Sequence, residues 1–192
     1  MITNNILFGS PLPPPHTYKI DVIKYYQNVF DIQILLETGT YMGETIFACK
    51  DAFNQIYSIE ISKNLFDKAT IKFENSKNVH LYLGDSSEVI KDILKRIDQS
   101  TLFWLDGHYS GGITEKGAKN TPILEELTAI FDHKIDDHLI LIDDARCFIG
   151  EEDYPSLFEL KDFISELKPQ FDVIVKHDII RIGSALNRVS NP

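Results

Sequence analysis

The sequence predicts an α/β domain: a doubly wound, seven-stranded, mostly parallel sheet that closes on an antiparallel β-hairpin. Three observations predict it. Short β-rich runs alternate with segments of helical period. Some runs are apolar almost throughout, as in Leu139-Ile-Leu-Ile142, which a parallel sheet covered on both faces requires. The last two runs are separated only by His177-Asp178, too short for a helix, so they must pair as a hairpin. Repeated β-α units with right-handed crossovers give the doubly wound arrangement.

Taken in order, Pro11-Leu-Pro-Pro-Pro15 is extended and stiff, and Tyr18–Phe30 reads as a helix ahead of the first strand. Residues 1–30 thus read as an N-terminal strap and helix, and residues 31–192 as a single ligand-binding domain. The strands are expected at Gln33–Glu37, Gln55–Glu60, Val79–Leu83, Thr101–Leu105, His138–Ile142, Asp172–Lys176 and Ile179–Ile182. Between them, Val89, Ile90, Ile93, Leu94 and Ile97 recur with the period of one helix face. Ile123, Leu127 and Ile130 do the same, as do Leu157, Leu160, Ile164 and Leu167. Thr121-Pro122 and Tyr154-Pro155 place Pro at a first helical position. Asp85 with Glu88 reads as a capping pair, and Ser62 as the cap of the preceding helix.

At 192 residues the chain can bury a sizeable core without a disulfide or metal staple. Its formal charge of −10 argues against non-specific binding to nucleic acid or anionic membranes, which needs net basic surface. Cys49 and Cys147 are too few for a disulfide framework and suit a reducing compartment. No apolar run approaches the roughly 20 residues of a membrane span, and the first residues lack the pattern of a signal peptide. A soluble, acidic, cytoplasmic domain is expected.

Ligands of open α/β sheets bind outside the carboxyl ends of the strands, so the residues after each strand carry the chemistry. Glu37-Thr38-Gly39-Thr40-Tyr41-Met42-Gly43 lets the backbone turn sharply and approach a ligand. It is not the dinucleotide fingerprint, and Glu37 is a poor neighbour for a pyrophosphate but a good one for a cation. Glu60, 17 residues beyond Gly43, is placed to accept from a ribose diol or to end a strand in solvent. Gly84-Asp85-Ser86 puts a carboxylate at a helix start, where it caps and can accept from an adenine amino group.

Asp106 follows the fourth strand, and Asp143 and Asp144 follow the fifth; adjacent strands make the three converge. Carboxylates about 4 Å apart repel by a few kcal/mol per pair even at an effective dielectric near 20. Raised pKa values, a basic partner such as Arg146, or a hard divalent cation must relieve them.

The succession Glu-Thr-Gly-Thr-Tyr-x-Gly, Ile-Tyr-Ser-Ile-Glu, Gly-Asp-Ser, Leu-Asp-Gly-His and Ile-Asp-Asp resembles class I S-adenosylmethionine-dependent methyltransferases over about residues 30–184. The terminal hairpin is a hallmark of that fold. Phe103-Trp-Leu-Asp-Gly-His-Tyr-Ser-Gly-Gly112 with Thr121-Pro-Ile-Leu-Glu-Glu-Leu127 is similar to a set of small bacterial proteins regarded as methyltransferases. The aspartate pattern is similar to that of metal-dependent O-methyltransferases of the catechol and macrolide-sugar types.

The resemblance implies that Glu37, Thr38, Gly39, Thr40, Tyr41 and Gly43 hold the methionine moiety of S-adenosylmethionine, with Glu37 near its ammonium. It implies that Glu60 takes the ribose, that Gly84, Asp85 and Ser86 take the adenine edge, and that Asp106, Asp143 and Asp144 hold a magnesium ion. Two features depart from the catechol type: Tyr109 stands where a lysine base is found, and the long N-terminal helices are absent.

Asp106 and His108 are the expected catalytic residues. His108 is the candidate base because histidine titrates near working pH, with a packing role as the alternative. Gly107, Gly111 and Gly112 suit a lid over the acceptor. The expected partner is a small-molecule or glycan acceptor, with no nucleic acid and no membrane, and a homodimer is compatible with this reading. A metal-independent methyltransferase and a non-catalytic cofactor-binding domain are the alternatives.

Overall fold

A computed structural model describes residues 13–107, 121–189 and 192 of the chain. Helix α1 (His16–Val29) precedes β1 (Ile34–Thr38). Then follow α2 (Glu44–Cys49), β2 (Gln55–Glu60), α3 (Lys63–Lys72), β3 (Val79–Leu83), α4 (Ser86–Leu94) and β4 (Thr101–Leu105). After them come α5 (Ile123–Phe131), β5 (Leu139–Ile142), α6 (Leu157–Leu167), β6 (Asp172–Lys176) and β7 (Ile179–Gly183). The seven strands form one sheet in the order β3-β2-β1-β4-β5-β7-β6. β1 to β5 pair in parallel, and β7 runs antiparallel to both β5 and β6. The expected doubly wound sheet with its terminal hairpin is therefore present, and its strand order reverses between β1 and β4.

Burial explains why the strands read so clearly. Every residue of β1, β4, β5 and β7 is buried, so side chains of both parities meet apolar cover. Leu36, Phe103, Leu105, Ile140 and Ile142 face a core closed by α4, α5 and α6. Leu35, Ile56, Leu102, Trp104 and Leu141 face a second core closed by α1, α2 and α3. Helix α1 belongs fully to this second core, burying Ile20, Val22, Ile23 and Tyr26. The hairpin turns through His177 and Asp178, both at positive φ (49° and 65°), as a tight two-residue connection demands. Among the described residues no helix is long and apolar enough to cross a membrane.

Helix starts are where the sequence reading needs correction. Pro122 stands just before α5, but Pro155 is not the first residue of α6. Ser156 caps that helix in a reciprocal box with Glu159, each side chain bonding the other's backbone N–H. Asp85 does cap α4 through the Ser87 N–H at 3.0 Å, whereas Glu88 turns outward to Lys91. Ser62 precedes α3 without a side-chain cap bond, and its N–H serves Glu60 instead.

Candidate active site

The loop after β1 folds back onto the end of β2. Gly39 and Thr40 donate their N–H groups to the Ile59 carbonyl at 3.0 and 3.3 Å, and Gly43 donates to Thr40 at 2.8 Å. Gly39 and Gly43 sit at φ +83° and +67°, and Tyr41 at +48°. Close approach fixes Gly39: a Cβ there would lie 2.5 Å from the Asp106 carbonyl oxygen. The backbones that follow β1 and β4 thus touch at the point where the strand order reverses.

Two carboxylates organise this loop. Glu37 is buried and accepts from Ser58 Oγ at 2.7 Å, and Ser58 is in turn 2.6 Å from Thr40 Oγ1. Glu60 accepts the Tyr41 N–H through Oε2 and the Ser62 N–H through Oε1, each at 2.8 Å. The two loops are clamped together by a carboxylate that is only 5% exposed. Gly84, Asp85 and Ser86 lie next along the sheet edge, where the Gly84 N–H bonds the Glu60 carbonyl at 2.9 Å.

Past the switch point, Asp106, Asp143 and Asp144 come together, with one carboxylate oxygen of each within 4.8 Å of the others. Asp144 sits at φ +56°, a conformation uncommon for a residue with a side chain. Among the described residues, Lys19 and Arg146 meet the cluster. Lys19, from α1, bonds Asp143 Oδ2 and lies 3.9 Å from Asp144 Oδ1. Arg146 donates to Asp144 at 2.7 Å and is braced by Asp178 of the hairpin turn, which takes both its backbone N–H and its guanidinium. Burial and the carboxylates of Asp106 and Asp144 still push the Asp143 carboxyl up, with Lys19 pulling the other way. His108, Tyr109, Gly111 and Gly112 fall outside the described residues.

Two residues of this region carry no strand-end signal in the sequence. Lys19 is one, and Glu126 is the other. Glu126 is 1% exposed in the first turn of α5, and it occupies the i+3 place in the Ile123, Leu127, Ile130 stripe. A carboxylate inside an apolar stripe is the signal that could have found it. Ser86 and Thr38 stand close enough to favour its charged form, yet Glu126 Oε1 and the Thr38 hydroxyl complete no well-formed hydrogen bond. Both face Gly107, whose absent side chain would reach 3.0 Å from Thr38 Oγ1 and 3.4 Å from Glu126 Oε1. Glu126 also lines a narrow cavity with Leu105, Ile142, Asp143, Phe148 and Tyr154.

These buried groups set a pH dependence. Burial pushes Glu37 up to about 8 and Glu126 up to about 7. At the opposite end of the sheet, burial pushes His138 down to about 4 beside His133. Between pH 6.5 and 8 the carboxyls keep protons that the unfolded chain has released, and His138 is neutral in both states. Unfolding then releases protons, so stability falls as pH rises, by about 1.4 kcal/mol per pH unit for each carboxyl still protonated. Below 6.5 the unfolded histidine gains a proton that folded His138 refuses until about 4, which opposes that trend. Urea midpoints of the free protein should therefore fall from pH 6.5 to 8, and Glu37→Gln should flatten the slope. A flat wild-type profile would show that these carboxyls ionise normally.

No family model matches the chain, and no curated protein matches it in sequence. Solved structures do match in fold. The S-adenosylhomocysteine-bound methyltransferase PaMTH1 of Podospora anserina superposes with a TM-score of 0.59 at 19% identity, covering 86% of this chain and 77% of that one. The fold is the Rossmann-like methyltransferase fold. The O-methyltransferase TomG of Streptomyces achromogenes, in complex with S-adenosylmethionine, matches at 0.61 and 14% identity over 90% of this chain and 81% of TomG. An rRNA methylase of Streptococcus thermophilus matches at 0.55 and 12% identity over 91% of this chain and 98% of its own. TomG is named for O-methylation and the streptococcal protein for rRNA, on one fold, so the acceptor must be argued from the site.

Proposed function

We propose that the protein is an S-adenosylmethionine-dependent methyltransferase that methylates a hydroxyl oxygen on a small molecule or sugar. The observation that carries this reading is the junction at the switch point, where the Thr38–Gly43 loop is clamped to Glu60 and touches Asp106. That junction lies where open α/β sheets take their ligands. Glu37 offers a carboxyl to the methionine ammonium, and Glu60, which holds the loop through two backbone N–H groups, stands at the end of β2 where a ribose diol would lie. Asp85 and Ser86 extend the row toward the adenine. Bound S-adenosylmethionine would supply the electrophilic methyl group.

The chain's own part in the reaction is positioning and proton handling. In-line displacement forms a C–O bond and breaks the C–S bond, so the acceptor oxygen must be held on the far side of the methyl group. Asp106, at the end of β4, orients the acceptor hydroxyl, and His108 takes its proton. The negative net charge supports a small neutral acceptor rather than RNA.

A magnesium ion on Asp106, Asp143 and Asp144 would suit the hard oxygen donors. The side chains as folded do not fit it, because Asp143 and Asp144 are already bonded to Lys19 and Arg146. The test is transfer of labelled methyl from S-adenosylmethionine to a panel of catechols, sugars and other hydroxyl compounds, with and without chelator. O-methyl ethers are the expected products. Labelling confined to RNA or to amines would overturn the choice of acceptor.

A further inference from the structure

We propose that Lys19 is the resident cation of the three-aspartate cluster, so that the folded site excludes divalent metal ions instead of recruiting them. The ammonium bonds Asp143 Oδ2 and stands 3.9 Å from Asp144 Oδ1, which places it among the oxygens that would coordinate an ion. Other donors of the chain engage the same two carboxylates. The Asp144 N–H bonds Asp143 Oδ1 at 2.9 Å, and Arg146 bonds Asp144 Oδ1 at 2.7 Å.

The contact is built into the core. Lys19 lies on the inward stripe of α1, three and four residues before the fully buried Val22 and Ile23 and seven before Tyr26. Its side chain is 14% exposed and that of Asp143 only 1%. Arg146 is held by Asp178, which is itself fully buried, so the second cation cannot swing away cheaply. An arriving divalent ion would meet a like charge on the oxygen it needs, and expelling Lys19 would leave a desolvated carboxylate without its partner. The fixed ammonium thus supplies, beside Asp106, positive charge that a bound metal would otherwise bring.

The probe is Mn2+ alone, titrated into the full-length protein and followed by the electron paramagnetic resonance of the free ion. This reading needs neither cofactor nor acceptor, so its failure is separate from that of the methyltransferase proposal, which cofactor titration tests. Wild type should take up no Mn2+ at micromolar to low-millimolar levels. Lys19→Met should bind one ion at least about tenfold more tightly, since the competing charge is gone. Lys19→Arg should stay as closed as wild type, and Lys19→Gln serves if the methionine variant does not fold. Tight one-to-one binding by wild type would overturn the proposal. So would folded Lys19→Met and Lys19→Gln proteins that bind no better than wild type.

Discussion

Gly39→Ala should destabilise the protein by about 3–5 kcal/mol, the combined cost of a left-handed backbone with a side chain and of overpacking against a backbone that cannot yield. The residue is at φ +83°, and its new Cβ would stand 2.5 Å from the Asp106 carbonyl oxygen and 3.3 Å from Gly107 Cα. No flexible side chain is available to move. Gly150 provides the internal control. It has nearly the same φ, +84°, but its Cβ would meet nothing closer than 3.7 Å. Gly150→Ala should therefore cost only the conformational part, on the order of 1 kcal/mol. Urea denaturation of the two variants separates strain from contact. Equal losses would mean that the loops after β1 and β4 are not pressed together.

Glu60→Ala should weaken S-adenosylmethionine binding by roughly 10²-fold while also loosening the loop that forms the site. Hydrogen bonds to a charged group contribute about 1.5–3 kcal/mol each, and this carboxylate makes two to backbone N–H groups before any ligand arrives. Stability should fall by about 3–6 kcal/mol on the same grounds. Glu60→Gln keeps one acceptor oxygen and separates the two roles. Its fold should survive, and its cofactor affinity should fall between the alanine variant and wild type. Calorimetric titration checks both, and an unchanged affinity in a folded Glu60→Ala protein would remove Glu60 from the site.

The fold was legible because burial on both faces writes itself directly into composition. Leu139–Ile142 has no polar position, and every one of its residues is buried. The hairpin was legible for a simpler reason, since two residues cannot hold a helix. At α6 the sequence carries two competing start signals, Pro155 and the Ser156 and Glu159 box one step later, and the box does the capping.

The strand-end acids were readable because topology alone dictates where the ends of adjacent strands go. Asp106, Asp143 and Asp144 meet for that reason. Their neutralising groups were only half readable. Arg146 lies two residues from Asp144, but Lys19 is 124 residues from Asp143 and reaches it only because α1 packs on the sheet. Glu126 was hidden likewise, its inward direction fixed by how α5 packs beside α4 in the core. Both sit in apolar stripes of helices, where a charged residue signals a buried partner or a site.

The most direct measurement is titration of the wild-type protein with S-adenosylmethionine by isothermal calorimetry near neutral pH. Binding of one cofactor per chain is expected, displaced by S-adenosylhomocysteine and weakened in Glu60→Ala. A folded wild-type protein that gives no binding heat, and no rise in thermal midpoint with excess cofactor, would contradict it.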